Sequence, residues 1–464
     1  MTKPLPLGSP AGVCHGTSPR ARRLRSLAAL AALCLTLVAG VARAEGPGIK
    51  VGSALVFHPG ISIGVGYDSN VFYATGAPLD PTVGAAYISV NPYIALSTLS
   101  LQRGGNAPHN VDFRFHLGLP LRFLASGDTD ISKHYSIGID GGFLLSLFPF
   151  GHWTFEVFDD FIRTSQPPYF FVKAAFSGSL GENINADQNQ FGLRLRWRPG
   201  GQRFETMLQY VLALYWFESA AIQSKSLLTN SFQLRFKWNF FPKTALYLSY
   251  DQAINTYLNA TLYNSPPSSY PLRAVVGLQG LITPKLILNV NIGYGNSLTQ
   301  TNAAYPGTVD AMGNHKGNSY SNVVGLAELT WKPLPLTGLT IGYRHDFAQA
   351  LIGTYYDLDT AYLNISQGIW KLVATARLAW ERRGYAGNLD VDGLKFQDAS
   401  GKVVGRTDHL IALHLQLDFP IKEWLILSIG DDLAKNLSDC QLIGVGPTCN
   451  YLRNDVWLRL NIAY

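Results

Sequence analysis

The last ten residues of the chain decide the fold class, and they are Asp455-Val456-Trp457-Leu458-Arg459-Leu460-Asn461-Ile462-Ala463-Tyr464. Counting in steps of two separates them into two sets. The apolar set is Val456, Leu458, Leu460, Ile462 and Tyr464. The other set is Asp455, Trp457, Arg459, Asn461 and Ala463. Because alternate residues of a β-strand point to opposite faces, the stretch predicts a strand with one wholly apolar face.

The same alternation recurs along the chain. Residues 111–123 carry seven apolar side chains at the odd positions. Residues 61–67, 191–197, 232–240 and 411–419 repeat the pattern. We count about eighteen such segments, each close to the length that crosses a bilayer at a tilt. This pattern predicts a wall with lipid on one side and water on the other.

The connections between these segments alternate in length. Short turns rich in Pro, Gly and Lys fall at 148–151, 199–201, 242–243, 283–285, 332–333, 367–368 and 420–422. Longer polar loops fall at 164–188, 256–271, 298–319, 385–408 and 433–453, and the connection at 99–110 is longer than a short turn. Six of the nine tryptophans flank the short turns, namely Trp153, Trp197, Trp238, Trp331, Trp370 and Trp424. Their position predicts an aromatic girdle at the headgroup level.

The predicted fold is therefore an all-β, transmembrane, antiparallel up-and-down barrel with short periplasmic turns and long extracellular loops. Our prediction is about eighteen strands, with sixteen as the alternative, and either number leaves room for an aqueous channel. We expect one barrel domain at residues 45–464, because no linker or change of composition divides it.

Residues 1–44 have the layout of a cleaved secretory signal peptide. Basic residues lie at 20–25, an apolar run covers 27–41, and Ala42-Arg43-Ala44 predicts cleavage near Ala44. The chain has 37 basic and 31 acidic residues, and six of the basic ones lie in this leader, so the mature chain is balanced. Net charge therefore gives no reason to expect a nucleic-acid partner.

Two cysteines follow the leader, Cys440 and Cys449. An exported chain and a short spacing predict a disulfide that closes a small loop. A metal site is the weaker interpretation, because no histidine is nearby in the sequence.

Three motifs resemble catalytic or metal sites. Gly60-Ile61-Ser62-Ile63-Gly64 matches a nucleophile elbow, but it lies inside a continuing strand. The acid pairs 159–160 and 431–432 lie at predicted strand ends, where adjacent side chains point to opposite faces. Residues 388–393 resemble the start of a calcium loop whose twelfth position is Ala399 rather than Glu. We therefore expect no enzyme activity, no cofactor and no metal.

Charged residues on the non-lipid parity are the candidates for pore-lining groups, because a charge facing lipid is costly. They are Arg114, Arg194, Arg196, Arg235, Lys237, Arg344, Asp346, Asp357, Asp359, Arg377 and Glu381. Rings of charge select solutes in channels, although the same residues can also serve only to solvate the wall.

The chain resembles a broad group of porin-type outer-membrane barrels in Gly66-Tyr67-Asp68-Ser69-Asn70-Val71-Phe72-Tyr73. The terminal stretch that ends at Tyr464 is similar to the carboxy-terminal signal of such proteins. The resemblance implies the Gram-negative outer membrane as the location, with outer-membrane lipid and the barrel-assembly machinery as partners. Members of the group are often associated with exopolysaccharide production. Passage or export of polysaccharide is therefore the implied function, with separate periplasmic export proteins as further partners.

Three alternatives stay open at this stage. One is a general porin for small polar solutes, and another is a hydrolase embedded in a barrel. The third is a structural or adhesion barrel with a closed lumen.

The loop at 164–188 contains the apolar run Tyr169-Phe170-Phe171, which is unfavourable in free solvent. One hypothesis is that this loop narrows the pore, and the other is that it packs on a neighbouring loop. If the loop constricts the lumen, deletion of 164–188 should raise the single-channel conductance. Unchanged conductance would contradict the constriction.

Overall fold

The structure is a computed structural model. It describes residues 46–76, 81–99, 109–125, 135–164, 185–199, 203–218, 223–259, 267–301, 319–350, 354–386, 406–439 and 450–464, together with two-residue strand segments in three loops. No helix among these residues is long and apolar enough to cross a membrane.

The wall consists of eighteen strands, two of which are in two pieces. The first nine are β1 (Leu55–Asp68), β2 (Ala85–Thr98), β3 (Val111–Gly118 and Leu121–Ala125), β4 (Tyr135–Ile137 and Ile139–Leu147), β5 (Trp153–Thr164), β6 (Ala186–Trp197), β7 (Phe204–Phe217), β8 (Leu227–Phe241) and β9 (Thr244–Tyr257). The others are β10 (Leu272–Thr283), β11 (Leu286–Asn296), β12 (Ser321–Trp331), β13 (Thr337–Gln349), β14 (Tyr355–Ile369), β15 (Leu372–Tyr385), β16 (Arg406–Lys422), β17 (Leu425–Ser438) and β18 (Tyr451–Ala463).

Each strand pairs antiparallel with the next, and β18 pairs with β1, so the sheet closes on itself. A three-residue strand, Ile49–Val51, folds back on the start of β1. The predicted fold class and the count of eighteen strands are confirmed. In such barrels the short turns are periplasmic and the long loops are extracellular. We therefore call the strand ends at the short turns periplasmic and those at the long loops extracellular.

The two faces of the wall have inverted polarity compared with a water-soluble protein. On β18, Val456 and Leu458 are exposed, whereas the alternate residues Asp455 and Trp457 are buried. The same holds on β8, where Phe236 is exposed and its neighbour Arg235 is buried. The exposed face is therefore the outer, apolar one, and the polar side chains cover one another on the inner face.

The six tryptophans beside the periplasmic turns are all exposed, as a girdle requires. Two of them, Trp153 and Trp197, stack with ring centroids 5.7 Å apart. The girdle lies at the end of the wall that carries the short turns.

The residues 66–73 that carry the family resemblance join the first strand to the last. At the extracellular end of β1, Asp68 accepts hydrogen bonds of 2.7–3.1 Å from Arg453 of β18. Arg122 of β3 reaches both Asp68 and Asp455, at 3.1 and 3.3 Å. Tyr87 of β2 donates to Asp455 at 2.6 Å. This network spans β18, β1, β2 and β3, and we call it the seam cluster.

Asn70 extends the seam cluster into the loop after β1. Its fully buried side-chain amide donates to the carbonyl oxygens of Ala74 and Leu452, at 2.8 and 3.0 Å. Its backbone N–H donates to Asp68 at 3.1 Å. The motif therefore fixes the chain where the barrel closes.

Arg453→Ala tests this role of the seam cluster. The variant leaves two buried carboxylates to share the guanidinium of Arg122, so the free energy of unfolding should fall by about 3–5 kcal/mol. Urea unfolding in lipid vesicles, followed by tryptophan fluorescence, measures the loss.

Arg163→Ala is the matched control, because Arg163 pairs with Glu218 at a side-chain exposure of 27%. The hydrogen bond from Arg163 lowers the pKa of Glu218, so this pair is charged. An exposed pair of this kind should cost only about 0–1 kcal/mol. An equal loss of unfolding free energy in the two variants would show that the seam cluster stabilises the barrel no more than an exposed ion pair does.

Candidate functional site

The candidate site is the inner face of the barrel. Of the predicted pore-lining residues, Arg194, Arg235, Asp346 and Glu381 are buried on this face. Arg196, Lys237, Arg344 and Arg377 are half-buried there, and Arg114 is exposed there. The register supports these positions, because each of these side chains lies opposite other inner-face residues of its neighbouring strands.

The prediction is wrong for Asp357 and Asp359, which lie on the outer face of β14 and not on its lumen face. Asp359 accepts hydrogen bonds from Tyr343 at 2.6 Å and from Arg382 at 3.1 Å. Tyr343 is exposed on the apolar outer face. In this part of β14 the inner positions are apolar, Tyr356 and Leu358, so the usual polarity of the two faces is reversed at the extracellular rim.

Aromatic rings lie flat against glycines on the inner face. Tyr87 of β2 lies over Gly66 of β1, and Tyr247 of β9 lies over Gly277 of β10; a Cβ on either glycine would overlap the ring. Glycine is required here because it alone lets a ring rest on the backbone of the next strand.

An arginine covers each of these rings on the lumen side. The guanidinium carbons of Arg122 and Arg235 lie 3.7 and 4.0 Å from the ring centroids of Tyr87 and Tyr247. Two more sets repeat the arrangement, Gly192 with Phe158 and Arg194, and Gly430 with Trp457 and Arg459. These three-layer stacks fix guanidinium groups on the inner wall by cation–π contact.

The tyrosine hydroxyls reach across the glycine strand to the strand beyond. Tyr247 accepts a hydrogen bond of 3.0 Å from Asn291 of β11. Tyr362 of β14 crosses Gly342 and donates to Glu328 of β12 at 2.5 Å. Each such residue therefore links three strands through side chains as well as through the backbone ladder.

At its extracellular end β13 separates from β12 and, still paired with β14, bends into the lumen, whereas β14 stays paired with β15. β12 pairs with β13 only as far as Gly325 and His345, whereas β13 and β14 stay paired to Gln349 and Tyr355. We call residues 346–350 and 354–356 the hairpin tip. The described residues at its turn are separated by the undescribed segment 351–353.

An apolar contact holds the hairpin tip against the inner wall. Phe347, whose exposed fraction is 2%, belongs to a buried cluster with Tyr247, Val275 and Val324. These three residues come from the inner faces of β9, β10 and β12. Tyr320 stacks on the other side of Phe347, with ring centroids 4.5 Å apart.

Polar contacts complete the docking of the hairpin tip. Arg273 of β10 donates to Asp346 and to the backbone oxygen of Phe347, both at 2.7 Å. Its guanidinium also lies 4.0 Å from the ring centroid of Phe347. Gln349 donates to Tyr257 at 2.8 Å and accepts from Ser269 at 3.1 Å. The hairpin tip is therefore bound to the inner wall at β9, at β10 and at the segment between them.

A cleft remains between the hairpin tip and the inner face of β7 to β9. Its lining includes Gln209, Gln233, Asp251, Asn255, Arg273 and Phe347. Amide, carboxylate and guanidinium groups together with one aromatic ring suit a hydrated polar solute. Sequence reasoning missed Arg273 and Phe347. The available signal was the loss of two-residue alternation after Arg344, where polar and apolar residues no longer separate.

Several predictions concern residues that the structure does not describe. The constriction by Tyr169, Phe170 and Phe171, the disulfide between Cys440 and Cys449, and the signal peptide all lie outside the described residues. The calcium interpretation of 388–393 lies largely outside them as well. Within the described part of the chain, no group of three His, Cys, Asp or Glu residues could hold a metal.

The motifs with catalytic resemblance are parts of the wall. Ser62 lies in the middle of the continuous strand β1, as expected for a chance match. Asp432 accepts a hydrogen bond from Trp457 and lies 2.6 Å from His414, whereas its neighbour Asp431 lies opposite the exposed Leu415 and Val456. The Nε2 atom of His414 has no hydrogen-bond partner among the described residues, so no hydroxyl or thiol is positioned by this pair.

No protein-family model matches the chain, and no curated protein sequence matches it. Solved structures with a similar course of the chain include the siderophore receptor PirA from Pseudomonas aeruginosa, at 8% identity and a TM-score of 0.42 over 88% of this chain and 80% of the receptor. The FrpB iron transporter from Neisseria meningitidis is 8% identical, with a TM-score of 0.44 over 90% and 83% of the two chains. OccAB3 from Acinetobacter baumannii is 11% identical, with a TM-score of 0.42 over 89% and 100%. At these scores the likeness assigns neither a family nor a cargo to this chain.

Phe347→Ala should release the hairpin tip, because truncation of a buried phenylalanine costs about 3–5 kcal/mol of packing. We expect larger and noisier single-channel openings than in the unsubstituted protein, measured in planar bilayers. Tyr343→Ala is the control, since Tyr343 belongs to the same strand but is exposed on the outer face. Identical traces from the two variants would show that the hairpin tip does not limit the current.

Proposed function

We propose that this protein is an outer-membrane channel that conducts hydrated, polar solutes through its lumen. The observation that carries the proposal is the closed wall of eighteen strands with an apolar outer face and a charged inner face. A barrel of this strand number leaves room for water, and charged side chains on the inner wall are stable only where water or counter-charges reach them.

We further propose polysaccharide as the solute class, following the resemblance in residues 66–73. The three-layer stacks support this choice, because they line the lumen with fixed hydrogen-bond donors beside aromatic rings. Hydroxyl-rich solutes can exchange hydrogen bonds along such a wall without a single tight site. A general porin for small polar solutes is the second candidate, and the mixture of charges of both signs on the inner wall favours it.

We also propose that the barrel has no catalytic role. Paired carboxylates act together only when both face the same substrate. The adjacent acids at 159–160 and 431–432 point to opposite faces of the wall, so neither pair can do so. The contact between His414 and Asp432 positions no nucleophile among the described residues.

Planar-bilayer recording and liposome swelling together test the channel and its cargo. The purified barrel should give steady openings, and proteoliposomes should swell in linear malto-oligosaccharides of seven or more units, because a polysaccharide channel passes chains end-on. If the channel passes only small solutes, the proteoliposomes should swell in monosaccharides, and swelling should cease at or before the tetrasaccharide.

Two results would count against this assignment. Swelling with monosaccharides alone would favour the general porin over the polysaccharide channel. Silent bilayers with a folded barrel, confirmed by its heat-modifiable mobility in gel electrophoresis, would contradict any channel and favour a structural barrel.

A further inference from the structure

Positive charge is concentrated on one side of the lumen near its periplasmic end. We call Arg194 and Arg196 of β6, Arg198 directly after β6, and Arg235 and Lys237 of β8 the basic wall. The register places Arg196 and Arg235 on either side of Met207, and Glu205 opposite Lys237. The five cations therefore lie on or next to β6 and β8, the two strands that flank β7.

The carboxylates nearby do not balance these cations. Glu156 pairs with Arg194 at 2.7 Å and with Arg196 at 3.4 Å, and Glu205 pairs with Arg198 at 3.0 Å. Among the residues that the structure describes, five cations against two carboxylates leave a formal excess of three positive charges. The next acid along the wall, Asp251 of β9, lies closer to the extracellular end, where Gln233 and Ser249 donate to it.

Two guanidinium groups of the basic wall are held in place by aromatic rings. Arg194 rests on Phe158, and Arg235 rests on Tyr247. The side chain of Arg196 is 19% exposed, so a solute in the lumen can reach its guanidinium group. A guanidinium fork of this kind matches a carboxylate better than it matches a neutral hydroxyl.

The basic wall lies on the route that a solute would follow to the cleft beneath the hairpin tip. Arg194 donates to Gln209 at 2.7 Å, and Gln209 lines that cleft. A chain that enters from the periplasm along β6 to β8 therefore meets the basic wall first and the polar cleft afterwards.

We infer that the basic wall is a binding site for anionic solute, and that the cargo of the proposed channel is a carboxylate-bearing polysaccharide. This inference rests on the proposed function. A concave wall with one sign of charge concentrates counter-ions by about tenfold or more, so it should favour both small anions and acidic chains.

The test combines ion selectivity with block by oligosaccharides in planar bilayers. Under a KCl gradient the unsubstituted protein should prefer chloride. Lys237→Gln should lower the chloride-to-potassium permeability ratio, and the double variant Arg196→Gln/Lys237→Gln should lower it by about threefold or more. Hexagalacturonate should interrupt the current of the unsubstituted protein, and the uncharged maltohexaose should do so much less.

Lys435→Gln is the matched control, because Lys435 is an exposed residue on the outer face of β17, next to the exposed Leu452 of β18. It removes the same charge and should keep the anion preference and the block. Steady openings without anion preference, or equal block by the two oligosaccharides, would overturn this inference alone. Silent bilayers would overturn it together with the channel. The single Lys237→Gln variant keeps the test decisive if the double variant does not fold.

Discussion

Closure of the barrel by backbone hydrogen bonds between its first and last strands is the constraint on which the rest of this structure depends. Hydrocarbon offers no partner for an unpaired N–H or C=O group, so a sheet can cross a membrane only if its first and last strands meet. Here β18 meets β1 over the register from Gly60 with Ala463 to Asp68 with Asp455. The seam cluster adds buried ion pairs at the extracellular end of that junction. Once the barrel is closed, its outer face must be apolar and its inner face can carry charge.

The part of the fold that follows from this constraint could be predicted from the sequence. Alternation assigned Val456 and Leu458 to the lipid face and Arg459 to the lumen, and the structure agrees. The strand number and the tryptophan girdle also follow from spacing alone. These features are local, because each depends only on a strand being half in lipid and half in water.

The features that alternation did not reveal depend on contacts between distant residues. Arg273 and Asp346 are 73 positions apart, and no local period relates them. Asp357 and Asp359 were assigned to the lumen on the assumption that charge always faces inward. That assumption fails where β13 separates from β12, because there protein rather than water covers Tyr356 and Leu358 on the inner side. A glycine such as Gly66 or Gly277 likewise gives no sign in the sequence of the ring that covers it.

The interruption of the backbone ladder between β12 and β13 shows that the inward fold of the hairpin tip is stabilised by specific side chains. β12 and β13 separate beyond Gly325 and His345, and this separation frees backbone groups on both strands. Side chains take up these groups: Tyr320 donates to the backbone oxygen of Val323 at 2.7 Å, and Arg273 donates to that of Phe347 at 2.7 Å. Asp346 accepts from the Phe347 N–H at 2.9 Å. An opening that arose by chance would leave such groups unpaired at a cost of about 1–3 kcal/mol each. The side chains that satisfy them also hold the hairpin tip against the inner wall, so the same few residues contribute to the stability of the wall and to the shape of the lumen entrance.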